Sequence, residues 1–204
     1  MAVKRRIVVF DYGSGNLRSA ERALVSAGAD VTVTSDTDAA LAAEGLAVPG
    51  VGAFAACMAG LEREGGPKVV HERVRAGRPV LGICVGMQIM FERGTEHGVE
   101  TPGLGVFSGE VSRLRAERVP HMGWNTVRVA PGSVLFRGIE DAHFYFVHSY
   151  APKPAGVDGL VTTAEHGEPF VAAVERGSVA ATQFHPEKSS EAGQTLLRNW
   201  LGTL

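Results

Sequence analysis

Pro79-Val80-Leu81-Gly82-Ile83-Cys84-Val85-Gly86 carries an apolar strand, Pro79 to Ile83, straight into a cysteine between two glycines, and a helical pattern follows. That order marks a nucleophile elbow, a strained strand-to-helix turn that pushes the reactive side chain out of the packed layer. Gly82 and Gly86 remove the Cβ atoms that would clash in so sharp a turn. The free N–H groups of a following helix would point at the sulfur and favour the anionic form, which is the one that attacks. The competing reading is a buried structural thiol, since free cysteine often behaves as a small hydrophobe. A structural thiol has no need of flanking glycines at a strand-helix junction.

Working outward, the first half alternates strand and helix patterns. Ile7 to Phe10 is a short apolar run, Leu17 to Ala27 has helical periodicity closed by Gly28, Val31 to Thr34 is β-branched, and Asp38 to Ala43 is helical. A strand at Leu46 to Val48 and helices at Ala55 to Arg63 and Val69 to Arg75 lead to the cysteine strand. This rhythm predicts an α/β fold, a mostly parallel sheet flanked by helices with active groups at the carboxyl ends of its strands. From about Phe107 short strands dominate: Val111 to Leu114, Thr126 to Val129, Phe144 to Val147, Leu160 to Thr163, and a hairpin of Val171 to Val174 with Val179 to Phe184. They predict a smaller, mainly antiparallel region in the second half. Ser189 and Ser190 are placed to cap a final helix that has Glu191 in its first turn and reaches Trp200.

The last strand of that hairpin runs into Gln183-Phe184-His185-Pro186-Glu187-Lys188. An imidazole and a carboxylate two residues apart suit a base and the group that orients it, which a cysteine hydrolase requires. Pro186 fixes its own φ and biases His185 to an extended conformation, so both side chains leave from a rigid corner. Cys84, His185 and Glu187 are therefore the candidate triad, joined by the fold rather than by sequence proximity.

Composition narrows the class. With 204 residues, 45% hydrophobic and 21% charged, the chain suits one domain, taken as residues 1 to 204. A net charge of −2 offers no electrostatic footprint for nucleic acid. Two cysteines, Cys57 and Cys84, in unlike contexts make no disulfide framework and point to a cytoplasmic setting. The basic start, Met1-Ala2-Val3-Lys4-Arg5-Arg6, precedes too short an apolar run for a signal segment, and no membrane-spanning run occurs. His71, His97, His143 and His166 show no metal-ligand spacing, so neither a metal nor another cofactor is expected.

Two glycine-rich turns bear on nucleotide binding. Gly50-Val51-Gly52-Ala53-Phe54-Ala55 fits a dinucleotide fingerprint on paper, but it is the third βα turn and follows a proline. In the first turn, Gly13-Ser14-Gly15-Asn16-Leu17-Arg18, arginine stands where the third glycine is needed. Beside a cysteine elbow, the strip Gly50 to Gly52 has another use: glycine backbone can turn N–H groups toward a developing oxyanion. A plain tight turn fits the local residues equally well.

Gly82-Ile83-Cys84-Val85-Gly86-Met87-Gln88 together with His185-Pro186-Glu187 resembles the class I, triad-type glutamine amidotransferases, which hydrolyse glutamine and deliver ammonia to a synthase. Further strings narrow the resemblance to the glutaminase subunits of imidazole glycerol phosphate synthases. They are Asp11-Tyr12-Gly13-Ser14-Gly15-Asn16, Pro49-Gly50-Val51-Gly52, Pro120-His121-Met122-Gly123-Trp124-Asn125, Tyr145-Phe146-Val147-His148-Ser149-Tyr150 and His185-Pro186-Glu187-Lys188-Ser189-Ser190. The resemblance covers the chain from residue 7 to the last helix, and Val85 stands where the family often has leucine.

It implies a flavodoxin-like sheet and a set of roles. Cys84 attacks the amide to give a glutamyl thioester, His185 is base and acid, and Glu187 orients it. The Val85 N–H and the strip Gly50, Val51 and Gly52 hold the oxyanion. Gln88, Glu96, Met122, His148, Ser149 and Tyr150 line the glutamine pocket, while Asn16, Trp124, Tyr145 and Lys188 face the cyclase subunit of a heterodimer. The rivals are a stand-alone cysteine hydrolase, a non-enzymatic nucleotide-binding module, and the glutaminase of pyridoxal phosphate synthesis, whose Gly-Gly-Glu-Ser string the chain lacks.

Overall fold

The computed structural model describes residues 4–204; the part of the leader reading that concerns Met1, Ala2 and Val3 lies outside the described residues. In chain order the elements are β1 (Arg6–Phe10), α1 (Leu17–Ser26), β2 (Asp30–Thr34), α2 (Thr37–Ala42), β3 (Gly45–Gly50), α3 (Phe54–Arg63), α4 (Gly66–Arg75), β4 (Val80–Cys84) and α5 (Val85–Gln88). Then follow β5 (Phe91–Glu96), β6 (Val99–Pro102), β7 (Phe107–Arg113), β8 (His121–Thr126), β9 (His143–His148), β10 (Tyr150–Pro152), β11 (Leu160–His166), β12 (Glu168–Arg176) and β13 (Val179–Thr182). A 3-10 turn, Pro186–Lys188, precedes α6 (Ser190–Leu201).

Seven strands form the main sheet in the order β11-β12-β13-β4-β3-β1-β2. From β13 to β2 every pairing is parallel, and β12 and β11 close one side antiparallel. Every residue of β3, β4 and β13 is buried, as expected of central strands covered on both faces. α1 turns Ala20, Ala23 and Leu24 inward, and the Asp36 carboxylate caps α2 by accepting from Asp38 N and Ala39 N at 2.8 and 3.0 Å. Because β3, β4 and β13 run parallel and adjacent, Gly50, Cys84 and the segment after Thr182 emerge at one end of the sheet.

The expected fold class holds, with local differences. β5, β6, β7 and β10 form a second sheet that begins at Phe91, well before the anticipated change of pattern, and β5 pairs parallel with β7. The strand expected at Thr126 to Val129 lies instead at His121–Thr126, paired with β9 from His121↔His148 to Thr126↔His143. The β-branched Val127 and Val129 drew the expectation; they are only partly buried, and Arg128 makes just an isolated bridge to Thr163. The helical pattern after Cys84 closes after one turn, because the 103–107 segment takes the next carbonyls: Leu104 N and Phe107 N donate to Ile89 O and Met90 O at 2.8 and 3.0 Å. Ser189 stands at the N-cap of α6 but does not cap it with its side chain.

No helix among the described residues is long and apolar enough to cross a membrane.

Candidate active site

Cys84 adopts φ 57° and ψ −116°, a positive-φ conformation costly for a side-chain-bearing residue and the hallmark of the elbow. The glycines around it are sterically required. A Cβ at Gly86 would stand 1.8 Å from Val48 O, one at Gly82 would stand 2.9 Å from Gly86 O, and one at Gly50 would stand 2.5 Å from Gly86 N. The end of β3 is thus locked against the elbow by backbone contacts. The Val85 N–H lies in the first turn of α5, where donors have no intrahelical acceptor, so it is available to an oxyanion.

Opposite, His185 and Glu187 come together. His185 Nδ1 lies 2.7 Å from Glu187 Oε1, and both side chains are 4% exposed. His185 Nε2 is buried without a hydrogen-bond partner. Burial alone would push the His185 pKa down. The neighbouring Cys84 and Glu187 side chains overcome this and raise it to about 9. The segment is tied to β9 twice, because His185 N donates to Tyr145 O at 3.0 Å, and Ser189 Oγ accepts from Tyr145 N at 3.0 Å while donating to His185 O at 2.7 Å. That use of the Ser189 hydroxyl explains why it is not a helix cap.

A cavity of about 490 Å³ opens on Cys84 and His185. Of the sequence-expected residues, Cys84, His185, Val51, Gly52, Val85, Gln88, Glu96, His148, Ser149 and Tyr150 line it. Gly50 and Glu187 stand behind the wall, and Lys188, expected to face a partner, also reaches the cavity. Met122 is not among the lining residues; it is 62% exposed on β8. His97, Arg113, Val119 and Val147 line it without having been anticipated. Gln88 is buried, and its amide donates to Tyr150 O at 2.8 Å and to Gln183 Oε1 at 3.0 Å. Gln183, a polar residue just past β13 within the apolar run Val179 to Phe184 and in that respect legible, passes the contact on to Cys84 Sγ at 3.9 Å. Glu96 Oε2 accepts from Phe54 N at 2.9 Å, joining the cavity wall to the start of α3.

The Gly50-Val51-Gly52 strip is held from behind. Ser14 Oγ accepts from Val51 N at 3.2 Å and donates to Val51 O at 2.8 Å, while Cys57 Sγ donates to the same carbonyl at 3.3 Å. Tyr12 donates to Pro49 O at 2.6 Å. Burial raises the pKa of Tyr12 and of Cys57, so both remain protonated donors at neutral pH. In this arrangement the Val51 N–H is engaged with Ser14 and not offered to the cavity.

The residues expected to face a partner are contiguous. Trp124, 52% exposed, meets Tyr145 edge-on with ring centroids 5.9 Å apart, and Lys188 Nζ lies 6.0 Å from the Tyr145 ring centre. Met122 shares the exposed face of β8 with Trp124. Asn16 is exposed at the start of α1, which packs against the Pro186–Lys188 turn.

Comparison with known proteins follows the same lines. The model of the family described as glutamine amidotransferase class-I matches residues 8–203. The chain belongs to this family. The amidotransferase is 60% identical to the imidazole glycerol phosphate synthase subunit HisH of Streptomyces avermitilis, over 100% of this chain and 99% of that protein. It is 61% identical to the subunit of the same name from Mycobacterium bovis, over 98% of both. Among solved structures, a glutamine amidotransferase superposes with TM-score 0.74 at 22% identity, covering 97% of this chain and 99% of that one. PurLQS from Thermotoga maritima superposes with TM-score 0.75 at 20% identity, covering 98% and 99%. At such identities the amidotransferase shares the fold with these two.

Proposed function

We propose that this chain is the glutaminase subunit of imidazole glycerol phosphate synthase. It hydrolyses glutamine to glutamate and ammonia and passes the ammonia to a cyclase subunit. That partner makes imidazole glycerol phosphate and the aminoimidazole carboxamide ribonucleotide by-product in histidine biosynthesis. The carrying observation is whole-length identity of about 60% to HisH subunits in a chain whose Cys84 and His185 line one cavity, with Glu187 hydrogen-bonded to His185 behind it.

The Cys84 sulfur attacks the amide carbon, and the carbonyl electrons move onto oxygen, where the Val85 N–H and a donor from the Gly50 to Gly52 strip stabilise the charge. His185, which holds a proton above neutral pH, delivers it to the departing nitrogen, so that ammonia leaves and a glutamyl thioester remains. The imidazole then takes a proton from water, the hydroxide attacks the thioester, and glutamate departs as the sulfur recovers its electron pair. Glu187 fixes the Nδ1–H form and stabilises the imidazolium. Gln88, Glu96, His148, Ser149 and Tyr150 hold glutamine.

The whole chain acts as one amidotransferase domain in the cytoplasm, and the exposed patch of Met122, Trp124, Tyr145 and Lys188, with Asn16 beside it, docks the cyclase subunit as a heterodimer. Such a patch has no use in a stand-alone hydrolase. Engagement of Val51 N–H by Ser14 favours a resting strip and activation on docking. The test is steady-state glutamine hydrolysis by the isolated chain, by the complex, and by the complex with the cyclase's ribonucleotide substrate. Turnover should rise along that series and vanish in Cys84→Ala; equal turnover in all three refutes the coupling.

A further inference from the structure

The hydrogen bonds around His121 run in one direction. His148 Nδ1 lies 2.9 Å from the Tyr150 carbonyl, which can only accept, so Nδ1 carries the proton. His148 Nε2 is then the acceptor for His121 Nδ1 at 3.0 Å. His121 donates through Nδ1, and its Nε2 accepts from the Asn125 amide at 3.3 Å. The Tyr150 carbonyl at the end of this chain is the one that also anchors Gln88. A series of donors thus leads from β8, the strand exposing Met122 and Trp124, to the wall of the cavity.

His121 does not line the cavity. It is buried, with its ring stacked on His166 at 4.3 Å and on Phe146 at 4.8 Å between centroids. Burial pushes the His121 pKa down to about 4 and that of His148 to about 3, so both rings are neutral near pH 7 and the pattern stays single. The Asn125 amide also donates to Glu165 O at 3.1 Å, which anchors the outer end of the chain to β11.

We propose that His121 is a positioning residue of the glutaminase site: by donating to His148 Nε2 it holds that ring against the Tyr150 carbonyl, and with it Gln88, as the glutamine-binding wall. The inference rests on the glutaminase reading. Without the His121 donor, His148 Nε2 loses its partner and the ring is free to turn away, which removes one of the two donors on Tyr150 O. Gln88 then loses its fixed anchor, and glutamine binding weakens while the triad is untouched.

Two variants separate the hydrogen bond from the packing. His121→Phe keeps an aromatic ring in the stack and lacks the donor; His121→Asn places an amide donor near the Nδ1 position and gives up the ring. In the complex with the cyclase subunit, His121→Phe should raise the KM for glutamine roughly 5- to 20-fold, with kcat within about 2-fold, as expected for loss of about one hydrogen bond's worth of positioning. His121→Asn should restore KM to within about 2-fold of wild type. Nitrogen-15 spectra of the isolated chain report the His148 Nδ1–H hydrogen bond without any turnover: intact in wild type and His121→Asn, weakened or lost in His121→Phe. A His148 Nδ1–H hydrogen bond unchanged in His121→Phe, or weakened in His121→Asn, overturns the proposal, as does an equal rise of KM in both variants. A wild-type complex that does not hydrolyse glutamine overturns the glutaminase reading instead, and the spectra distinguish the two failures.

Discussion

Ser14→Ala should raise the glutaminase activity of the isolated chain and leave the activated complex unchanged. One hydroxyl holds both the N–H and the carbonyl of Val51, at 3.2 and 2.8 Å. A net hydrogen bond contributes about 0.5–1.5 kcal/mol, so losing two shifts the resting strip by about 1–3 kcal/mol. Val51 is 44% exposed, so water replaces much of what is lost, and Cys57 still donates to the carbonyl. The lower end, about 1 kcal/mol, is the working figure, and it corresponds to about a 5-fold gain in the orientation that frees the Val51 N–H. A single oxyanion donor is worth roughly 10²–10³-fold in turnover, so a 5-fold gain lies well below the ceiling. On the proposed activation by docking, that orientation is already the majority in the complex, so nothing remains to be gained. The assay is coupled detection of glutamate release by wild type, Ser14→Ala and Ser14→Thr, each alone and in the complex, with Thr expected to return to the wild-type value. Unchanged basal turnover in Ser14→Ala, or a gain that persists undiminished in the complex, would refute the reasoning.

Glu187→Gln should keep the fold and lose roughly 10²–10⁴-fold in turnover, since a neutral amide cannot stabilise the imidazolium as the buried carboxylate does; wild-type rates would mean another group orients His185. The His185 pKa, lowered by burial but raised overall to about 9 by Cys84 and Glu187, lies above the ordinary 6.5. Its contribution to stability is therefore full below about 6.5 and lost as pH rises through about 9, so the Tm of wild type should fall toward that of Cys84→Ala across this window. Parallel Tm profiles for the two proteins count against the pairing. Gly86→Ala forces a Cβ to 1.8 Å from Val48 O, a backbone atom that cannot step aside, and should cost at least about 3 kcal/mol in urea unfolding or abolish soluble expression. A loss under about 0.5 kcal/mol would show that the elbow is looser than described.

The sequence was most readable where a backbone constraint leaves a residue-type signature. Gly82 and Gly86 around Cys84, and Pro186 between His185 and Glu187, announce a turn and a corner that the structure contains. β8 was harder to see, because His-Met-Gly-Trp-Asn-Thr lacks apolar alternation; the strand exists through pairing with β9 and leaves Met122 and Trp124 exposed. That exposure also explains why Met122 is absent from the cavity. Gln88 could be read as a surface residue of a longer helix, but the helix ends after one turn and its side chain is drawn inside by Tyr150 O and Gln183. The second role of Ser189, between His185 and Tyr145, depends on a long-range approach of β9 that no local pattern encodes.

The interlock of Gly50, Gly82 and Gly86 also bears on how far such a sequence can drift. Each glycine is required by backbone belonging to another part of the same knot: Gly50 by Gly86 N, Gly86 by Val48 O, Gly82 by Gly86 O. A side chain added at one position is not accommodated by trimming a neighbour, because the nearest contact in each case is main chain and has nothing to trim. Stepwise mutational paths out of this arrangement are closed, and a library that varies these positions should return glycine at all three whatever substrate it is selected on. Val51, 44% exposed and serving through its main-chain N–H, is by contrast free to change side chain, and new specificity around the same nucleophile can be sought there.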